Sequence, residues 1–160
     1  LLSNFGLKKI TQGYQSFSSG NERKVINFDN ISFIPLICYE VIYSGNINTN
    51  NQDFDFIINI SEDGWFGDSV GPHQHFSHSI FRSIEEGKNL LRSANNGISA
   101  HIDATGKIIG SLKSTDRGFI EIRNILITKK TFFNSHGNKI FFYFLIFYIS
   151  LIFFLKKKGE

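Results

Sequence analysis

The chain of 160 residues is poor in several residue types, and each shortage narrows what the protein can be. With one cysteine it cannot form an internal disulfide, so cysteine usage does not indicate a redox compartment. Charged residues make up only 19% and the net charge is only +3, too little to imply nucleic acid as a partner. Hydrophobic residues reach 41%, which favours a globular over a disordered chain, and the length fits about one domain.

Cys38, the one cysteine, follows the apolar run Ile31–Ile37. Such a run, rich in β-branched and aromatic residues, predicts a buried strand with the thiol at its carboxyl end. Open α/β sheets bind their ligands at that edge, so the position suits a catalytic nucleophile. A lone cysteine is more often a small buried hydrophobe, and the choice between the two depends on the rest of the chain.

A second strand and a loop are predicted beside the first strand. The run Phe54–Ile60 is also continuously apolar, and a connection separates it from the first, which favours a parallel pair. The segment Ser61–Asp68, which contains two glycines, then predicts a loop at the same edge as Cys38.

The next segment predicts a helix followed by strands. Pro72 fits the first helical turn, and the helix is expected to end near Asn95–Gly97. Its apolar face recurs at spacings of three and four residues: Phe76, Ile80, Ile84, Gly87 and Leu91. The elements expected after it are two hairpin strands, Gly97–Ile102 and Lys107–Leu112, around the turn Asp103–Gly106, and a short strand, Phe119–Ile122.

The C-terminus carries an uncharged apolar run over residues 140–155. As a helix it measures roughly 24 Å, short for a hydrocarbon core of ~30 Å, but Asn138 and Lys139 can extend it. The alternative is a buried core helix. Two features argue against it: the run is apolar on every face, and three lysines follow it. We predict a domain over 1–130, a linker over 131–139, a transmembrane helix over 140–155 and a cytoplasmic basic tail over 156–160. The domain then lies on the periplasmic side of a bacterial inner membrane.

Three segments carry a resemblance to a known family. They are ICYE at 37–40, NISEDGWFGDSVGPHQH at 59–75 and LLRSANNGISAHIDATGKI at 90–108. They resemble the C-terminal half of the nitrilase-type domain of bacterial apolipoprotein N-acyltransferases, and FSSG at 17–20 fits as well. The block WFGDSxGPxQH is much more specific than a general nitrilase match.

The resemblance implies an α/β fold, an αββα sandwich of the nitrilase superfamily that is incomplete in this chain and is followed by one transmembrane helix. It also implies an acyltransferase that moves a fatty acyl chain from a phospholipid to the N-terminal diacylglyceryl-cysteine of an apolipoprotein. Cys38 would carry the acyl group as a thioester. We expect the lipid bilayer to be a further partner. We also expect the protein to be a monomer and to use neither a cofactor nor a metal.

The chemistry of individual residues agrees with these roles. A thiolate is both a strong nucleophile and a good leaving group, as two-step acyl transfer requires. The backbone N–H of Tyr39 can donate to the oxyanion. Glu40 is expected to support the site, directly or by orienting another group, although a structural salt bridge is the alternative. Trp65 and Phe66 either line the entry for a lipid chain or are core aromatics.

The chain also departs from a complete enzyme of this kind. In the family a general-base glutamate and an oxyanion lysine lie upstream of the nucleophile, and no residue over 1–37 matches their motifs. We therefore expect a longer parent protein and no activity of these residues alone. Glu62 and Gly64 stand where the family usually has asparagine and alanine. Two other classes stay open: an amidase of the nitrilase superfamily, and a degenerate membrane-tethered domain without activity.

Two polar clusters have an ordinary and a functional interpretation. His73, His75 and His78 could bind a metal, but on a helix they do not share one face, so polar contacts beside the loop are favoured. Asn95 and Asn96 fit a helix C-terminus as well as they fit a site.

Overall fold

The structure is a computed structural model that describes residue 20 and residues 22–48, 52–122 and 130–158. The first three residues of the FSSG segment, the N-terminal part of the predicted domain and residues 159–160 of the predicted tail lie outside this range. The elements are β1 (Ile26–Phe28), β2 (Ile31–Ile37), a 3₁₀ helix (Cys38–Ile42), β3 (Phe56–Glu62), a second 3₁₀ helix (Gly64–Phe66), α1 (Gly71–Glu86), β4 (Asn89–Asn95), β5 (Ser99–Ile102), β6 (Ile108–Leu112), α2 (Phe132–His136) and α3 (Lys139–Lys158).

The six strands form one mixed sheet in the order β1–β2–β3–β4–β5–β6. Strands β2, β3 and β4 are parallel, whereas β1, β5 and β6 pair antiparallel on either side. The predicted parallel pair and the predicted hairpin are confirmed, with β3 shifted two residues along the chain. Ile37 at the end of β2 lies opposite Ile60 of β3, so Cys38 and the loop after β3 are neighbours at one edge.

Helix α1 packs against β4, β5 and the 3₁₀ helix that begins at Cys38. The apolar core that holds these elements together consists of Ile34, Leu36, Val41, Ile47, Phe54, Ile57, Phe76, Leu90, Ala100 and Ile102. The helix contributes little to this core, because most of its buried side chains are polar: His75, Ser79, Arg82, Ser83 and Glu86, beside Phe76. The layer between α1 and the sheet is therefore partly a polar one, and this is where the site lies.

Helix α1 is shorter than the sequence predicted. It ends at Glu86 because Gly87 adopts φ 64°, the left-handed conformation that commonly ends helices. Leu91 and Asn95, which were expected on the helix, belong to β4 and pair with β3 in the middle of the sheet. The interpretation of Gly87 as a face residue was wrong, since a glycine in the right spacing can equally well end the helix.

The short strand predicted over 119–122 is absent from the sheet, although these residues are described. Ile120 instead packs beside Gly110 of β6, where a side chain at position 110 would meet its methyl group at 3.3 Å. Ile120 therefore packs beside β6 without extending the ladder, whereas Phe119 is 87% exposed.

Two helices follow where the sequence predicted a linker and one helix, because α2 lies within the predicted linker. Within the predicted linker, the hydroxyl of Thr131 caps α2 by accepting from the N–H of Asn134 at 2.9 Å. Thr131 also donates to the Glu85 carbonyl, and Asn134 donates to the Glu86 carboxylate, which attaches α2 to α1. Helix α3 has 20 residues, and its span 139–156 has a mean hydropathy of 1.9 with no part buried in the structure. By length and composition it can cross a membrane, and its insertion stays a prediction.

Candidate active site

Cys38 lies in a sharp turn between β2 and the 3₁₀ helix, with φ 51°. A non-glycine residue in this left-handed region is uncommon and costs of order 1–3 kcal/mol, so such residues gather at functional sites. The side chain is partly exposed and its thiol is not in a disulfide. The turn thus presents the sulfur at the carboxyl edge of the sheet, as the sequence predicted.

Ser61 is the polar contact of the Cys38 sulfur, with its Oγ 3.7 Å from Sγ. The same hydroxyl lies 2.7 Å from Oδ1 of Asp63. Because a serine has one hydroxyl proton and the carboxylate is the stronger acceptor, the proton goes to Asp63 and a lone pair faces the sulfur. Ser61 therefore links the Cys38 sulfur to the buried groups beneath it.

Asp63 is fully buried and accepts hydrogen bonds from three side chains. Arg92 donates through Nη2 to Oδ1 and Oδ2 at 3.0 and 2.8 Å, and His75 Nδ1 lies 2.8 Å from Oδ1. Burial opposes its ionisation, but the bond from Ser61 and the charge of Arg92 hold the pKa of the Asp63 carboxyl below its usual value. Gly97 permits this close arrangement, since a Cβ there would lie 2.1 Å from the carboxylate.

Two buried side chains hold the carbonyl oxygen of Cys38. Nδ2 of Asn59 donates to it at 3.3 Å and to the Leu36 carbonyl at 3.0 Å, while Nε2 of His75 lies 3.3 Å away. Asn59 in turn accepts a hydrogen bond from Arg92, which completes a connected polar cluster below Cys38. The strained turn is thus fixed from beneath by side chains of β3, β4 and α1.

Glu40 lies two residues after Cys38, and its carboxylate accepts a hydrogen bond from the backbone. Its Oε2 accepts from the N–H of Ile37 at 2.8 Å, and its Oε1 lies 3.6 Å from Nη2 of Arg23. Arg23 also donates to the carbonyl of Asn46 at 2.9 Å. This geometry suits a residue that braces the turn from the solvent side, and the supporting role predicted for Glu40 stays a prediction.

Tyr39 follows Cys38 in the first turn of the 3₁₀ helix, where backbone N–H groups have no partner within the helix. Its half-exposed ring lies 5.0 Å from the ring of His75 and 6.1 Å from that of Phe66. Phe66 also contacts His75, and these rings border an open pocket of about 340 Å³. Trp65 is 76% exposed, so it is not a core aromatic.

Sequence reasoning missed most of the buried cluster: Asn59, Ser61, Asp63, Ser79 and Arg92 were not singled out. A signal was present, because Asn59, Ser61 and Asp63 occupy alternate positions along β3 and its end, and alternate residues of a strand share a face. A polar residue at every second position of an otherwise apolar strand indicates a buried polar face. Arg92 interrupts the apolar start of β4 in the same way.

The structure distinguishes the alternative interpretations of the histidine group and of the two asparagines. His75 lies in the buried network, while His73 is exposed and His78 half-buried. Within the described residues no group of three potential metal ligands is found. Asn95 ends β4 and Asn96 follows it with φ 52°, so the helix C-terminus interpretation was wrong. Both amides donate to Glu62, whose pKa is lowered chiefly by the Gly64 N–H and then by Asn95.

Comparisons with known proteins agree with this fold. Residues 11–127 match the family model of carbon-nitrogen hydrolases, and the chain belongs to that family. Curated relatives that match it are named apolipoprotein N-acyltransferase. The protein from Rickettsia typhi is 41% identical over 154 residues, which are 91% of this chain and 31% of the relative. The protein from Rhizobium rhizogenes is 36% identical over 122 residues, 76% of this chain and 23% of the relative.

The chain thus spans less than a third of the length of these curated relatives. Among solved structures, a CN-hydrolase superfamily protein from Xanthomonas campestris superimposes with a TM-score of 0.51 at 16% identity, covering 63% of this chain and 43% of that chain. This likeness concerns the fold alone. Together with the family match, it confirms the predicted nitrilase-superfamily fold class, followed by one apolar helix.

Proposed function

We propose that this chain is the nucleophile-bearing part of an apolipoprotein N-acyltransferase. The enzyme would move a fatty acyl chain from a membrane phospholipid to the N-terminal diacylglyceryl-cysteine of an apolipoprotein. The observation that carries the proposal is the placement of Cys38, in a left-handed turn at the carboxyl edge of the sheet with its sulfur against Ser61. The names of the relatives support the choice of acyl transfer over amide hydrolysis.

The chemistry would proceed in two balanced steps. The Cys38 thiolate attacks the ester carbonyl of the phospholipid, the lysophospholipid leaves as its alcohol after gaining a proton, and a thioester remains. The amine of the acceptor cysteine then attacks the thioester, loses a proton and expels the thiolate, which leaves an amide. The N–H of Tyr39 would donate to the oxyanion in both steps.

The remaining catalytic groups are proposed to come from residues outside this sequence. Glu40 is held by the Ile37 N–H and lies near Arg23, so its geometry favours bracing over proton transfer. A general-base glutamate and an oxyanion lysine would then be supplied by the part of the relatives that this chain does not cover. These 160 residues alone would accordingly be inactive.

The surroundings of the site suit a lipid substrate at a membrane. The exposed rings of Tyr39 and Trp65, together with Phe66, which borders the pocket beside Tyr39, would offer apolar surface to an acyl chain beside the nucleophile. Helix α3 would anchor the domain in the bacterial inner membrane. The lysines at 156–158 would mark its cytoplasmic end, which leaves the domain on the periplasmic side.

The test uses the full-length protein that contains these residues, as wild type and as Cys38→Ser. Mass spectrometry would then show whether a diacylated lipoprotein gains a third acyl chain in membranes. We expect the gain with wild type and its loss with Cys38→Ser. Equal gain from both proteins would remove Cys38 as the nucleophile. No gain from either, with both present in the membrane, would favour the degenerate tethered domain.

A further inference from the structure

His75 is a buried titratable group that the proposed chemistry leaves unused. It lies on α1 and is only 2% exposed. Its Nδ1 is 2.8 Å from Oδ1 of Asp63, and its Nε2 is 3.3 Å from the carbonyl oxygen of Cys38. Both ring nitrogens therefore face an oxygen atom, one of them belonging to the nucleophile residue itself.

Both of these oxygens are acceptors. Burial disfavours the ionised form of Asp63, yet the bond from Ser61 and the charge of Arg92 keep the pKa of its carboxyl low, so it is a carboxylate at neutral pH. A peptide carbonyl can only accept. A neutral imidazole carries a single N–H and would turn a lone pair toward one of the two oxygens. Only the doubly protonated ring donates to both.

Arg92 is not placed to donate to a lone pair on a neutral His75 ring, because its nitrogens already donate to other acceptors. Its Nη2 comes within 3.2 Å of Nδ1 of His75, but this nitrogen already donates to both oxygens of Asp63. Its Nη1 donates to Asn59, and its Nε donates to the Ile98 carbonyl at 3.2 Å. Arg92 and the protonated ring are then two cations on one carboxylate, which leaves one positive charge in excess beneath the nucleophile.

We propose that His75, protonated on both ring nitrogens, is a positioning residue for Cys38. The inference rests on the proposed function in one respect, that Cys38 is the nucleophile. The Nε2–H of the ring and the Nδ2–H of Asn59 hold the Cys38 carbonyl and so fix the left-handed turn. The excess positive charge favours the thiolate over the thiol. His75 acts through Cys38 and exchanges no proton with the substrate.

The other titratable and charged groups around the ring come from each element packed against it: Asp63 after β3, Arg92 on β4, Tyr39 in the 3₁₀ helix and His78 on α1 itself. Against the effect of burial, the bond from Ser61 and the charge of Arg92 keep the pKa of the Asp63 carboxyl below its usual value, so Asp63 is ionised throughout the neutral range. The pKa of His78 is lowered by burial first and then by Arg82, so His78 loses its charge below the neutral range. A change seen near neutral pH on replacing His75 therefore reports that ring.

The test measures alkylation of Cys38 by iodoacetamide against pH in the full-length protein, with Cys38→Ser used to subtract any other thiol. In His75→Gln the midpoint of the alkylation profile is expected to rise by about one pH unit, the low end of the effect of a nearby cation. The rate near neutral pH then falls about tenfold. His73→Gln is the matched control, since it places the same substitution at an exposed position of the same helix and should leave the profile unchanged.

Acyl transfer supplies a second readout. In His75→Gln the kcat is expected to fall about tenfold while the KM for phospholipid stays within about twofold, because the ring is 2% exposed and acts on the Cys38 carbonyl. A thermal unfolding scan of each variant shows whether the domain is folded. A folded His75→Gln protein with an unshifted alkylation midpoint would overturn the inference.

A second variant covers the case in which His75→Gln does not accumulate. His75→Ala leaves a space that added imidazole can fill, and recovery of the alkylation rate with imidazole would support the inference, whereas folded protein without recovery would overturn it. Alkylation needs no acyl donor, so the two proposals can fail separately. A shifted midpoint without acyl transfer rejects the proposed function alone, and acyl transfer with an unshifted midpoint rejects the role of His75 alone.

Discussion

Helices α1 and α3 have opposite relations between polarity and burial. The buried face of α1 consists mostly of polar side chains, each of which needs a partner inside the protein. The span of α3 is almost entirely apolar, and none of it is buried in the structure. The polarity of a helix is therefore interpreted together with its surroundings. The polar face of α1 packs on the polar cluster below Cys38, whereas the apolar surface of α3 fits the membrane span that we predict for it.

The two ends of α1 also differ from each other. Near its start, His75 and Ser79 belong to the connected cluster below Cys38, in which Arg92 is bound through every nitrogen. Near its end, where α2 attaches, three buried polar atoms lack a partner within the described residues: Arg82 Nε, Glu85 Oε2 and Asn134 Oδ1. Within the described residues, the end of α1 at the site is therefore the one whose buried polar atoms are paired, and the end to which α2 attaches is the less complete one.

Among changes to the polar cluster below α1, removal of the Arg92 guanidinium should lower the free energy of unfolding most. In Arg92→Leu, the buried Asp63 carboxylate loses its ion pair with the guanidinium and Asn59 loses its donor, so the free energy of unfolding should fall by about 3–5 kcal/mol. Arg117→Leu is the control, because Arg117 is exposed and a surface change usually stays within about 0.5 kcal/mol. Thermal unfolding of the full-length protein in detergent would measure both. A loss below about 1 kcal/mol for Arg92→Leu would mean that the cluster is not a stabilising unit.

The apolar side of the comparison is tested by a charge in the middle of α3. Phe147→Lys should lower the ratio of inserted to non-inserted helix by on the order of a hundredfold, since a charged residue is costly at the bilayer centre. Phe132→Lys is the matched control, because Phe132 is equally exposed, at 68% against 65%, but lies on α2. A green fluorescent protein fused after residue 160 fluoresces only when the tail is cytoplasmic.

We expect bright wild type and Phe132→Lys proteins and a dark Phe147→Lys protein. Equal brightness of all three would argue against membrane insertion of α3. A dark wild type would leave insertion open but contradict the proposed cytoplasmic tail.

Sequence patterns predicted the regular parts of this molecule and missed the irregular ones. Apolar runs located β2 and β3, and the position of Cys38 followed from where β2 ends. Spacing alone could not show that Gly87 ends α1, because the three-to-four spacing continues by coincidence into β4. The cluster of Asp63 and Arg92 escaped notice because its members are 29 positions apart, and only the parallel pairing of β3 with β4 brings them together. The site was thus predictable where it is local in sequence.

Substitution of Glu86, at the end of α1 to which α2 attaches, should have the smallest effect on stability, and this effect should depend on pH. Burial, assisted by Glu85, raises the pKa of its carboxyl above the ordinary 4.5, so the folded state keeps the proton to higher pH than the unfolded state. Folded protein then binds more protons than unfolded protein above pH 4.5, and stability falls as pH rises through the folded pKa. Glu86→Gln does not titrate, retains an acceptor for Asn134 Nδ2 and adds a donor for its unpartnered Oδ1. Its unfolding temperature relative to wild type should therefore climb between about pH 4 and 8, and a constant difference would show that Glu86 is not held in its protonated form.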